Sequence, residues 1–99
     1  MSQELSEKVK PKIKQPNRFQ VLLLNDDYTT MEFVVVVLMK FFYKSQEAAN
    51  ALMLKIHIEG EAVCGVYSHD VAQTKVTQVI EFSRENEQPL MCIIRELSD

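Results

Sequence analysis

The chain has 99 residues, 46 % of them apolar and 25 % charged, which is the composition of an ordinary globular domain with a single core. No run of 18 apolar residues occurs, which excludes a membrane-spanning helix. The net charge of −3 is unevenly spread: residues 1–19 carry five Lys or Arg against two Glu, giving +3, and residues 20–99 carry six against twelve Asp or Glu, giving −6, a balance that argues against nucleic acid as a partner.

Residues 1–17 are polar and hold Pro11 and Pro16, so they are expected to form a flexible extension ahead of a folded body at 18–99. No apolar secretory segment is present, and a cytoplasmic location is expected. The apolar run from Arg18 to Leu24 predicts a strand. Thr30 to about Tyr43 reads as a helix, with Thr29 as N-cap and Glu32 as its capping-box partner. Val34 to Val37 are four β-branched residues, which by themselves favour a strand; the capping box and the apolar run continuing to Phe42 favour a buried helix. A second helix is predicted from Gln46 to about Ile58 after Ser45, with Ala48, Ala49, Leu52, Met53 and Ile56 inward. Glu61 to Tyr67 reads as a strand. Asp70 to about Asn86 reads as a third helix capped by Ser68, with Val71, Ala72, Val76, Val79, Ile80 and Ser83 inward. Leu90 to Arg95, after Pro89, reads as the last strand. The order β-α-α-β-α-β predicts a small α+β domain in which a three-stranded antiparallel sheet carries three helices on one face.

Cys64 and Cys92 lie far apart in apolar stretches, the pattern of buried reduced thiols. Together with His57 and His69 they match no common metal-ligand spacing. No metal and no cofactor is expected.

The chemistry concentrates where the first strand ends. Asn25-Asp26-Asp27 has two readings. Asn and Asp close turns by bonding their own backbone; the same side chains also bind a cation or a donor-rich group. His57, between Ile56 and Ile58 near a helix end, reads by itself as a structural or C-capping histidine. Met31, Val34, Met53 and Ile56 at helical spacing read as core. Asp26, Asp27 and His57 could perform acid–base chemistry, but no nucleophile stands with them and only two glycines, Gly60 and Gly65, are present.

The stretch Asn25-Asp26-Asp27-Tyr28-Thr29-Thr30-Met31-Glu32-Phe33-Val34, with Leu52 to His57, Gly65-Val66-Tyr67 and Arg84-Glu85-Asn86-Glu87-Gln88-Pro89-Leu90, closely resembles the ClpS family, adaptors that deliver proteins bearing certain N-terminal residues to the Clp protease. The resemblance covers roughly residues 18–96. It implies a non-catalytic monomer that binds the free α-amino group and the bulky first residue (Leu, Phe, Tyr or Trp) of an N-degron. By this match Asn25, Asp26 and His57 surround the ammonium group. The pocket walls are Thr29, Met31, Val34, Met53, Ile56 and Leu90, with Met31 as a gate against β-branched first residues and Asp27 at the rim or in the turn only. Asp70 and Lys75 fall where the family docks on the N-terminal domain of a ClpA- or ClpC-type AAA+ unfoldase, and residues 1–17 correspond to an extension used in handover. Thr30 stands where the family commonly has proline, Asp70 replaces a common glutamate and Ile56 a common valine. Two other readings, a small hydrolase and an assembly module resembling the ribosomal stalk C-terminal domain, compete with the adaptor.

Overall fold

A computed structural model describes residues 18–97; the expected extension 1–17 lies outside the described residues. The elements are β1 (Arg18–Leu24), α1 (Met31–Phe42), α2 (Gln46–Glu59), β2 (Glu61–Tyr67), α3 (His69–Glu85) and β3 (Met91–Leu97). The β-α-α-β-α-β order follows the sequence reading, with the last strand running two residues further than expected.

The α1 segment is helical despite its four valines. Val34, Val37, Leu38 and Phe42 recur at helical spacing and are all buried, so burial outweighs the β-branched preference. The N-cap is Thr30, not Thr29: the Thr30 Oγ1 accepts from the Phe33 N–H at 3.1 Å. The shift of one residue follows from Thr29, whose own hydroxyl is committed to Asp26. Tyr43 ends the helix in the left-handed region at φ 56°.

Ser45 caps α2 as expected, its Oγ accepting from the Ala48 N–H at 3.1 Å. Gly60 closes α2 at φ 96°, a conformation that glycine adopts without a Cβ clash. Ser68 occupies the N-cap of α3, but its side chain makes no capping bond. At the far end Glu87 lies at φ 58°, the Gln88 N–H donates to the Ser83 carbonyl and the Glu87 N–H to the Arg84 carbonyl. This is the paired-bond termination of a Schellman motif, with Glu87 where glycine is usual. Two residues expected inward are on the outside: Ala48 in the first turn of α2, and Val71, which is 44 % exposed, in the first turn of α3.

The sheet order is β2-β1-β3, both pairings antiparallel. Strands β2 and β3 therefore run parallel to each other on either side of β1, with α3 crossing between them, a split β-α-β arrangement. The register shifts between Val21 and Leu22, where β2 passes from Gly65 to Val63. The bulge leaves Cys64 as the extra residue and turns Cys64 and Gly65 to the same side. A Cβ on Gly65 would collide with the Tyr67 ring, which lies over it.

Val21 and Leu23 of β1, Ala62 and Cys64 of β2 and Cys92 of β3 face the helices and join Val34, Val37, Leu38, Ala49, Ile56, Ala72, Val79 and Leu90 in one core. Leu22 points to the other face yet is only 1 % exposed. Arg95, opposite Gln20, reaches Glu61, opposite Leu24, in a two-pronged ion pair at 2.8 and 3.3 Å. The pair thus passes over β1 at Leu22 and covers it. Among the described residues no helix is long and apolar enough to cross a membrane.

Candidate functional site

The end of β1 is stitched to the end of α2. The Asn25 N–H donates to the Gly60 carbonyl at 2.9 Å, and the Gly60 N–H donates to the Ile56 carbonyl at 2.8 Å. The residue that leaves the strand is thereby fixed beside the last turn of α2, which carries His57. Asn25 and His57 are 32 positions apart, and one left-handed glycine brings them to the same place.

The chain between β1 and α1 is shaped by Asp26. Its Oδ1 accepts from the Tyr28 N–H at 2.8 Å and the Thr29 N–H at 2.7 Å, and its Oδ2 accepts from the Thr29 hydroxyl at 2.6 Å. Partial burial pushes the carboxyl pKa up, but the bonds from the Thr29 hydroxyl and the Thr29 and Tyr28 N–H groups outweigh it and hold the pKa below its ordinary value. Asp26 therefore does both things its residue type allows: it closes the turn and keeps a fixed negative charge there.

Asn25, Asp26, Asp27, Thr29, Met31, Val34, Met53, Ile56 and His57 surround one cavity of about 240 Å³. That is smaller than a pocket for a drug-sized molecule and suits one amino-acid side chain. Its lining combines polar residues, Asn25, Asp26, Asp27, Thr29 and His57, with apolar ones, Met31, Val34, Met53 and Ile56. Val34 and Ile56 also belong to the core, so each presents one side to the core and another to the cavity. Met31 is 45 % exposed at the mouth.

Leu90 stands apart from the other expected wall residues. It is 1 % exposed, packs in the core and does not line the cavity. Its carbonyl and that of Gln88 accept from the Arg84 guanidinium at 3.4 and 2.9 Å, which braces the turn ahead of β3. The same turn reaches the site by a route the sequence did not signal: the Thr30 N–H donates to the Gln88 Oε1 at 3.1 Å. A proline at position 30 has no N–H for this bond.

Asp70 and Lys75, both on α3, differ in their freedom. The Asp70 side chain is fully exposed, with only His69 Nδ1 at 3.9 Å. Lys75 is half-buried: its Nζ donates to the Phe41 carbonyl at 2.7 Å and lies 4.6 Å from the Tyr43 ring centre and 5.8 Å from that of Tyr67. It satisfies a carbonyl in the last turn of α1, an anchoring role that its sequence position did not reveal.

Cys64 and Cys92 are buried and unpaired with each other, and burial pushes both thiols up to about 12. Among the described residues no group of three His, Cys, Asp or Glu side chains is placed to hold a metal ion.

Comparison with known proteins identifies the family. Residues 14–93 match the family model described as ATP-dependent Clp protease adaptor protein ClpS. A ClpS 2 adapter protein of Bradyrhizobium diazoefficiens is 55 % identical over 89 residues, spanning 90 % of this chain and 81 % of the relative. A ClpS 1 adapter protein of Agrobacterium fabrum is 52 % identical over 89 residues, spanning 90 % and 76 %. The solved structure of Agrobacterium tumefaciens ClpS2 bound to L-phenylalaninamide superposes with a TM-score of 0.81 at 37 % identity, covering 84 % of this chain and all of the other. With four-fifths of its length matched by the family model and more than half its aligned residues shared with a curated relative, the chain belongs to the ClpS family of Clp protease adaptors.

Proposed function

We propose that the cavity between β1, α1 and α2 binds the first residue of an N-degron, and that the chain hands the bound protein to a ClpA- or ClpC-type AAA+ unfoldase of the Clp protease. The observation that carries this reading is one small cavity whose lining joins acceptors from Asn25, Asp26 and His57 to the apolar side chains of Met31, Val34, Met53 and Ile56. An α-ammonium group has three donors and is satisfied by acceptors that converge from different directions: an amide oxygen, a carboxylate and an unprotonated imidazole nitrogen. Each such charge-assisted bond contributes about 1.5–3 kcal/mol. Burying a Leu or Phe side chain against the apolar lining contributes a further ~1.5–3 kcal/mol. Together these overcome the cost of association and reach roughly micromolar affinity. An internal leucine is rejected because its peptide nitrogen has neither the charge nor the donors, and the buried acceptors go unpaired. L-phenylalaninamide, the molecule bound in the Agrobacterium tumefaciens relative, has the two features this cavity is built to take: a free α-amino group and one bulky apolar side chain.

Asp70 is the free charge on the surface assigned to the unfoldase, and Lys75 holds α1 beside it. To Met31, which lines the cavity and is part-exposed, this reading gives the role of excluding a branched Cβ.

The test is fluorescence anisotropy with a labelled Leu-first peptide and its N-acetylated twin. The free peptide binds and the acetylated one does not. Asn25→Ala and His57→Ala each weaken binding at least tenfold while the melting temperature is kept. Equal binding of both peptides, or hydrolysis of either, would overturn the reading.

A further inference from the structure

Beyond the first-residue cavity, the seam between α1 and α2 forms a second hollow of about 440 Å³. It is lined on α1 by Glu32, Val35, Val36 and Met39, and on α2 by Gln46 and Asn50. Met31 and Met53 line both hollows, so the two adjoin along a shared methionine ridge. This stripe exists because α1 is apolar on more than one side. Val34, Val37, Leu38 and Phe42 face the core. Met31, Val36 and Met39 stand 45, 46 and 40 % exposed. Apolar side chains gathered in this way mark a surface that another chain covers.

We propose that this groove receives the substrate's residues two to four, and that an apolar side chain at position three or four is bound there. The inference rests on the N-degron reading of the neighbouring cavity. With the α-amino group held by Asn25 and His57 and the first side chain between Val34 and Ile56, a peptide that crosses the Met31–Met53 ridge enters the groove directly. The lengths agree. Met31 to Met39 spans roughly 12 Å at the helical rise, and an extended chain advances about 3.3 Å per residue, so three to four residues fill the groove. The chemistry also agrees. The Gln46 and Asn50 amides on the rim offer both donors and acceptors, which is what an extended backbone requires. The methionines are unbranched and adapt to side chains of different shape, so the groove selects for apolar character rather than for one residue. The adaptor would then read two things: a free bulky first residue, and a greasy position a short distance behind it.

The experiment uses the full chain and two labelled Leu-first peptides. One carries Gly and Ser at positions two to four, and the other carries an apolar residue at positions three and four. The second binds at least fivefold more tightly. Met39→Glu and Val36→Ser, both at exposed positions away from the ammonium site, abolish that gain. Leucinamide, measured as a competitor, keeps its affinity for both variants. Equal affinities for the two peptides, or a gain that survives both substitutions, would overturn the inference while leaving the first-residue cavity intact. If the groove belonged instead to the unfoldase or to a second copy, Met39→Glu would weaken unfoldase capture or self-association and leave the peptide ratio unchanged, which also overturns it. Failure of leucinamide to compete with the wild-type chain would overturn the parent reading, and the groove with it.

Discussion

Asp26 accepts from three donors of its own turn on two carboxylate oxygens, and the same residue lines the cavity. The two uses support each other, because the bonds that shape the turn also keep the group ionised. Folding lowers the Asp26 pKa below its ordinary value of 3.8. The ionised form therefore stabilises the fold above that value, and the contribution is lost as pH falls through and below it. Asp26→Asn is expected to cost about 1 kcal/mol at neutral pH, because an amide nitrogen cannot accept from the Thr29 hydroxyl. The deficit shrinks in acid, where the wild-type carboxyl is neutral as well. Urea denaturation of both proteins at neutral and acid pH measures this, and a difference independent of pH would contradict it. His57 has a simpler part. Its position one turn before the Gly60 cap places it among the residues that line the cavity.

At the scale of the element, α1 is held at both ends by side chains from α3 and the turn that follows it. Gln88 accepts from the Thr30 N–H at the start, and Lys75 donates to the Phe41 carbonyl at the finish. The start matters for the site because Met31 follows Thr30 directly. Gln88→Ala is expected to lower stability by about 0.5–1 kcal/mol, as for a neutral hydrogen bond near the surface. It should also relax discrimination between Leu-first and Val-first peptides by loosening the turn that positions Met31. Thermal melts and paired anisotropy titrations read the two effects separately. The finish matters for testing the proposed unfoldase surface. Lys75→Met leaves the Phe41 carbonyl without its donor and should lower the melting temperature, whereas Asp70→Ala should leave it unchanged. Loss of unfoldase capture in the Asp70 variant then reports docking, and in the Lys75 variant it reports docking and fold together. A Lys75→Met protein that melted like the wild type would show that the anchoring bond contributes nothing.

At the scale of the whole molecule, one core supports everything. Leu38, fully buried between the helices and the sheet, is expected to cost about 2–5 kcal/mol when truncated to alanine, a large share of the ~5–15 kcal/mol typical of a domain. The thiols offer a direct report of the same event. Burial pushes Cys64 and Cys92 up to about 12, so the reactive thiolate is scarce in the folded state and alkylation needs opening. Labelling of both cysteines should track the loss of helical signal along a denaturant series, and should begin at lower denaturant in Leu38→Ala. Labelling that ran ahead of unfolding in the wild type would place a thiol at the surface.

Periodicity, turn residues and caps carried the element order in the chain itself. Ser45 starts α2 as local chemistry dictates, and the alternating and apolar runs marked all three strands. The motif from Asn25 to Val34, with His57 and the Arg84–Leu90 stretch, was also enough to point to the ClpS family. The decisions left to tertiary structure are those that depend on partners distant in sequence. Four valines in α1 are helical because a core waits on one side of them. Leu90 goes to the core, packed with residues from other elements. Gln88 meets Thr30 across 58 positions, and Lys75 meets Phe41 across 34. Local pattern fixes what a segment prefers by itself. Which side chain a buried group or a free N–H finally meets depends on how the sheet and the helices close on one another, and no short window of sequence contains that.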